Sequence, residues 1–181
     1  MAKKTRNEFI ASRRDRWIGK WLDALMNTYP NESARFFKDT ADPFANPVGA
    51  VMRKGITELF EVVTAESYDP QAAYTALEPV IRVRAIQEFS PSAALGFITE
   101  IKDIIDRDTA EAGAGQASRQ DLGLIAANAD RALLTAFDIY VDCKKHVYNL
   151  RARQARDSVR QLLIKKELIS ELPDVDPELT K

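Results

Sequence analysis

Hydrophobic side chains recur every three or four positions along most of this chain, and the two-residue alternation typical of β-strands is nearly absent. In the first segment the apolar positions share one helical face, namely Phe9, Ile10, Trp17, Ile18, Trp21, Leu22, Leu25 and Met26. We predict that this helix ends near Tyr29, because Pro30 disfavours the helical conformation in the residue before it. Residues 32–45 are predicted to form a loop that has room for one short helix.

Three later helix starts combine a capping side chain with a proline, which has no N–H to leave unpaired in the first turn. They are Asn46-Pro47, Asp69-Pro70 and Ser90-Pro91. Pro79 falls inside the second of these helices, where it either begins a new helix or kinks the existing one. The helix after Ser90 is predicted to run until a flexible linker, Gly113-Ala114-Gly115, and its apolar stripe contains Ile98, Ile101, Ile104 and Ile105.

The final helix is the longest and carries a heptad repeat. From Leu122 onward, mostly apolar or small residues recur at seven-residue intervals in two series offset by four, as in the seam between packed helices. Because small residues let another helix approach closely, the seam predicts a homodimer interface at Ala129, Leu133, Ala136, Tyr140, Val147 and Leu150. The last third of the helix is basic, and we interpret it as facing a protein partner through Arg151, Arg153, Arg156 and Arg160. The alternative is that this basic run contacts nucleic acid or an anionic membrane.

These elements predict an all-α fold in which a single helical domain at residues 1–168 ends in a long helix. Residues 169–181 contain two prolines and several acidic residues, and we expect a disordered acidic tail. The chain of 181 residues is long enough to bury a core without disulfides or metals.

Net charge, cysteine content and hydropathy indicate which partners and which cellular compartment are expected. A net charge of −1 argues against a dedicated nucleic-acid binder, which is usually basic. The single cysteine cannot form an internal disulfide, as is usual in a reducing compartment. No apolar run approaches the length of a membrane span or the core of a signal peptide. We therefore expect a cytoplasmic protein with no membrane span.

Side chains that could support catalysis are few. His146 is the only histidine, so one chain cannot build a cluster of histidine ligands for a metal. Gly113 and Gly115 lack the following Lys-Ser or Lys-Thr of a phosphate-binding loop. We therefore expect no enzymatic activity, no metal and no cofactor. The acidic pairs among Asp103, Asp106 and Asp108 are interpreted as a solvated helix face.

Four further residues have a structural interpretation beside a functional one. Trp17 and Trp21, one turn apart, are expected in the core rather than in a ligand cage. Cys143 is expected to pack in the seam, with redox sensing as the alternative because lysines are close in sequence. His146 is expected at a surface or interface, with haem ligation as the alternative.

Over about residues 6–165 the chain resembles the N-terminal domain of the RsbT co-antagonist regulators, the RsbRD N-terminal family. The most specific part of the resemblance is the Phe-Ser-Pro-Ser junction at residues 89–92. The matching segments are RRDRWIGKWLDALMNTYP, RFFKDTADPFANPVG, MRKGITELFEVV, QEFSPSAALGFITEIKDII and LLTAFDIYVDCKKHVYNLR.

The resemblance implies a dimeric, globin-like helical sensor domain without haem. In that family the last helix leads into a phosphorylatable STAS domain, whereas only a short acidic tail follows Leu168 here. We therefore expect a stand-alone, non-enzymatic regulatory or sensory interaction module, whose small-molecule ligand, where there is one, is unidentified. The alternative is a small accessory or scaffold subunit of a respiratory or metabolic complex.

Overall fold

A computed structural model describes residues 2–40, 42–87, 89–111 and 119–166. Within these ranges the regular secondary structure is helical, and no strand occurs. The prediction of an all-α fold with a long last helix is confirmed. The elements are α1 (Ala2–Met26), α2 (Asn31–Asp39), α3 (Pro47–Thr64), α4 (Pro70–Ile86), α5 (Pro91–Leu95), a 3-10 turn (Gly96–Ile98), α6 (Glu100–Glu111) and α7 (Arg119–Lys165). None of the helices in these ranges is both long and apolar enough to cross a membrane.

The chain divides into two compact units, residues 1–143 and residues 144–181. The first contains α1–α6 and the larger part of α7, and the described part of the second is the remainder of α7. The predicted linker at residues 113–115 and the predicted tail at residues 169–181 lie outside the described residues. The globin-like arrangement stays a prediction.

All three predicted caps are confirmed. The Asn46 side chain accepts a hydrogen bond from the Gly49 N–H at 2.8 Å, and Asp69 accepts from two N–H groups at the start of α4. Ser90 accepts from the Ala93 N–H at 3.3 Å, with a proline at the next position. Each cap satisfies an amide that has no partner within its own helix.

The stretch between α1 and α3 is more ordered than the sequence suggested. Helix α1 ends at Met26, and Pro30 precedes α2, which is the short helix for which the sequence left room. Carbonyls at the end of α2 and just after it bind side chains at the start of α3. Asn46, the N-cap of α3, donates to the carbonyls of Phe37 and Thr40, and Arg53 donates to the same two groups. These side chains fix α2 against the start of α3.

Helices α3 and α4 form the closest pair in the first unit. A Cβ atom added at Gly55 would lie 2.3 Å from Val80 Cγ2 and 2.9 Å from the Ala76 carbonyl oxygen, so only glycine permits this approach. Pro79 lies on the exposed side of α4, which continues through it to Ile86, so Pro79 does not begin a new helix. The core around this pair includes Trp17, Trp21, Leu25, Phe60, Leu77 and Ile81.

The prediction of one continuous helix after Ser90 is wrong. Its hydrogen-bonding pattern breaks at residues 96–99, between α5 and α6. Donors from other helices bind carbonyls before and within the break: Arg84 binds those of Ala93 and Ala94 in α5, and the Trp21 indole binds that of Phe97 at 2.6 Å. Gly96, a poor helix former, lies at the break.

We expect Ser90→Ala to lower the free energy of unfolding by about 1 kcal/mol, because the Ala93 N–H loses its acceptor. Chemical denaturation measures this change. Ser67→Ala, in an exposed segment outside the helices, is the matched control and should change stability by less than about 0.5 kcal/mol. Equal midpoints for the two variants would contradict the role of the cap.

Candidate functional site

The predicted interface residues fall into two groups. Ala129, Ala136 and Tyr140 are buried in the core of the first unit, and Leu133 packs against that core while half-buried. In the second unit Val147 is half-buried and Leu150 is exposed. The seam therefore packs α7 within the single chain over residues 129–140. Its role in a homodimer stays a prediction.

Polar contacts fasten α7 to the rest of the first unit. Asn128 is buried and donates to the carbonyls of Val63 and Ala65 at the end of α3. The hydroxyl groups of Tyr68 and Thr135 lie 2.9 Å apart. Because buried polar groups are costly unless paired, these contacts fix which face of α7 turns inward.

A second apolar stripe lies beside the seam, shifted along α7 by one residue. Leu134 is 66% exposed and Phe137 is 49% exposed, and Val141 is half-buried. A shift of one residue turns a helical position by about 100°, so this stripe lies to one side of the packed seam. Arg131 and Asp138 flank it and give it both signs of charge.

The predicted basic surface belongs to the second unit. Arg151, Arg153, Arg156 and Arg160 all lie on the helical part of this unit and are exposed. Large apolar side chains share the segment, with Tyr148 61%, Val159 55% and Leu162 61% exposed. The segment is thus an amphipathic helix with a basic polar face.

Arg84 is the centre of a buried polar and aromatic cluster at the Phe-Ser-Pro-Ser junction. Its Nε donates to the Ala94 carbonyl at 2.9 Å, Nη2 to the Ala93 carbonyl at 2.6 Å, and Nη1 to Thr28 Oγ1 at 2.9 Å. Three rings surround the guanidinium, with its Cζ 4.3 Å from the centre of Phe89, 5.2 Å from Tyr29 and 5.7 Å from Phe97.

The surroundings of Arg84 set the electrostatics of the junction. Burial lowers the pKa of Arg84 from its ordinary value, and the nearby Tyr29 opposes that shift. Burial likewise raises the pKa of Tyr29, whose hydroxyl donates to Gln87 Oε1 at 3.0 Å. An arginine still keeps its charge, so the rings and carbonyls stabilise a permanent cation.

The junction also anchors the terminal helix. Tyr140 donates its hydroxyl to the Phe89 carbonyl at 2.7 Å, while the Phe89 ring packs edge-on against Tyr29 at 5.2 Å. The sequence predicted Tyr140 at a partner surface, and in the single chain this side chain joins α7 to the junction.

Residues 15–155 match the family described as the RsbT co-antagonist protein RsbRD N-terminal domain. The chain belongs to this family. The match contains both the Arg84 junction and the exposed stripe at Leu134 and Phe137. No curated protein and no solved structure matches the chain.

A second buried charge in this RsbRD N-terminal domain contradicts the interpretation of the acidic pairs. Asp103 and Asp106 are exposed as predicted, whereas Asp108 is buried. The Asp108 Oδ2 atom accepts hydrogen bonds from the Trp17 indole at 3.0 Å and from Arg13 Nε at 3.1 Å.

The other carboxylate oxygen of Asp108 faces two more cations on α1. Oδ1 forms an ion pair with Arg16 Nη2 at 2.8 Å, without hydrogen-bond alignment, and lies 4.0 Å from Lys20 Nζ. The basic residues and Trp17 recur at three- and four-residue spacing on one face of α1. Asp108 therefore attaches α6 to α1 rather than facing solvent.

The sequence did contain a signal for both buried charges. Arg84 continues the apolar series Leu77, Val80 and Ile81 at helical spacing, and Asp108 continues the series Ile101, Ile104 and Ile105 in the same way. A charged residue on the apolar face of a helix indicates a buried, paired group.

The remaining candidates are now placed. Trp17 and Trp21 are fully buried, which confirms their assignment to the core. Cys143 is half-buried, and burial raises the pKa of its thiol although Arg82 opposes the shift. A raised pKa lowers the thiolate fraction and so favours packing over redox sensing. His146 is exposed, and the absence of haem stays a prediction.

We expect Arg84→Lys to lower the free energy of unfolding by roughly 2–4 kcal/mol, because the single nitrogen of an ammonium group cannot serve the three acceptors that the planar guanidinium binds with three nitrogens. Thermal and chemical unfolding measure the change. Arg82→Lys, two residues earlier and exposed, should stay within about 0.5 kcal/mol of the wild type. A tolerated lysine at position 84 would disprove this role of the guanidinium.

Asp108→Ala should cost roughly 3 kcal/mol of stability, because the Trp17 indole loses its acceptor and the cations on α1 lose their shared carboxylate. Denaturant unfolding provides the measurement, and Asp106→Ala, at an exposed position of the same helix, is the control. Similar stabilities of the two variants would show that Asp108 behaves as a surface residue.

Proposed function

We propose that this protein is a non-enzymatic signalling input module of the stressosome type, acting in the cytoplasm through protein contacts made by α7. The observation that carries the proposal is the family match over residues 15–155. The exposed apolar stripe at Leu134 and Phe137 supports it, because large apolar side chains at a surface are typical of protein interaction sites.

The module pairs with a second copy through this stripe. The neighbouring seam residues Ala129 and Ala136 are already packed in the core, so the exposed stripe offers the apolar area that a dimer would bury. A two-fold contact places a surface against itself, and this one carries Arg131 and Asp138 beside its apolar residues. Because both signs of charge are present, an antiparallel pair centred between these two residues would place Arg131 of one copy beside Asp138 of the other.

Leu134→Glu together with Phe137→Glu should convert a dimer into a monomer, because two carboxylates would lose hydration in the contact. Light scattering and sedimentation of the full chain measure its mass. Since both side chains are exposed, circular dichroism should show an intact helical fold in the double variant.

The matched control is Tyr74→Glu together with Ile86→Glu. These side chains on α4 are also large, apolar and exposed, so the change in charge and in surface apolarity is comparable. The control should remain dimeric. A wild-type chain that is monomeric at high micromolar concentration, or a control that dissociates equally, would refute pairing through this stripe.

A signalling role and an accessory-subunit role differ in when partners bind. Capture from native extract should recover a partner whose amount changes when the cells are stressed. A ligand of the module should raise its thermal stability, because binding to the native state alone stabilises it. Constant recovery of one stoichiometric metabolic partner would favour the accessory subunit instead.

A further inference from the structure

The second unit carries an exposed apolar stripe of its own. Tyr148, Ala152, Ala155, Val159 and Leu162 follow one another at alternating spacings of four and three residues, and all are exposed. This is the spacing of the two apolar positions of a heptad, so the five side chains form a seam suited to another helix. The described part of this unit is helical up to Lys165.

The charges beside this stripe have a single sign. In the heptad register six positions flank the apolar seam. Three of them carry a charge, and all three are basic: Arg151, Arg156 and Lys165. Asp157, the only acidic residue in residues 144–166, falls on the side away from the seam, while the same stretch holds eight lysines and arginines. Flanking charges decide which helices pair in a coiled coil.

Pairing of two copies through this stripe would bring like charges face to face. In a parallel pair Arg151 of one copy would face Arg156 of the other, and an antiparallel pair would also bring basic residues together. The stripe therefore differs from the one at Leu134 and Phe137, which is flanked by both signs.

We propose that residues 148–165 dock an amphipathic helix of a different protein, one that places glutamate or aspartate beside its apolar seam. Such a helix would bury Val159 and Leu162 while its carboxylates face Arg151 and Arg156. The flanking basic residues select an acidic partner, and the apolar seam packs against the apolar face of that partner.

A helical partner fits the stripe better than a membrane or a nucleic acid does. Two of its five residues are alanines, which allow a second helix to approach closely but add little apolar area for insertion into lipid. Nucleic acid would use the basic side chains and leave Tyr148, Val159 and Leu162 without a role.

The test uses the full chain and a synthetic three-heptad peptide with leucine and valine in its seam and glutamate at every flanking position. A second peptide carries lysine at those flanking positions. Fluorescence anisotropy at physiological salt should show at least about tenfold tighter binding of the glutamate peptide. Equal binding of both peptides, or binding of neither, would overturn the proposal.

Variants separate the flanking charges from the overall charge. Arg151→Glu with Arg156→Glu should reverse the preference, so that the lysine peptide binds better. Arg153→Glu with Arg160→Glu makes the same change in net charge on the side away from the stripe, and should weaken the glutamate peptide by less than about threefold. Equal losses in the two variants would indicate unspecific attraction and contradict a helical docking site.

A third variant, Val159→Ser with Leu162→Ser, removes apolar contact without altering charge and should abolish peptide binding. Sedimentation of the same variant addresses the other occupant: loss of self-association would identify a second copy and overturn the proposal. Stronger capture by phosphatidylserine vesicles or duplex DNA than by the glutamate peptide would do the same. This inference is independent of pairing at Leu134 and Phe137, which is tested by other variants.

Discussion

The buried guanidinium of Arg84 sets the geometry of the junction on which much of the first unit depends. A charge removed from water is costly unless hydrogen bonds replace its hydration, and each of its nitrogens has an acceptor from Thr28, Ala93 or Ala94. The two alanine carbonyls can serve Arg84 because α5 ends at Leu95 and does not use them for a longer helix. The early end of α5 and the Arg84 contact therefore occur together, since the guanidinium binds carbonyls that a longer helix would use.

The same cluster determines how α7 is placed within the first unit. Phe89 covers the guanidinium with its ring, and its carbonyl accepts the Tyr140 hydroxyl. With Tyr140 and Asn128 both turned inward, Leu134 and Phe137 are left at the surface. The exposed stripe thus follows from the polar contacts that orient the helix, and these contacts leave apolar area available for an interaction.

Hydrogen bonds between residues close together in the chain were predictable from the sequence, whereas contacts between residues far apart in the chain were not. At Asn46, Asp69 and Ser90 the cap binds an N–H two or three residues further along the chain, so the local sequence was enough to predict it. The burial of Asp108 involves Trp17 and cations about ninety residues away in the chain, and at the break after α5 the Trp21 indole, 76 residues away, binds the Phe97 carbonyl. Heptad periodicity identified a packed face of α7 correctly, but periodicity is the same whether the opposing surface is the chain's own core or another molecule.

Flanking charge provides the information that periodicity lacks. Apolar spacing identifies a face that is able to pack, and the residues beside that face restrict what can lie against it. In the first unit Arg131 and Asp138 flank the exposed stripe with opposite signs, a composition compatible with an identical surface. In the second unit Arg151, Arg156 and Lys165 give one sign only, which opposes an identical surface and suits an acidic one. Two stretches of one helix with similar apolar spacing can therefore select different partners, because a like-charged pairing loses the electrostatic energy that an oppositely charged pairing gains.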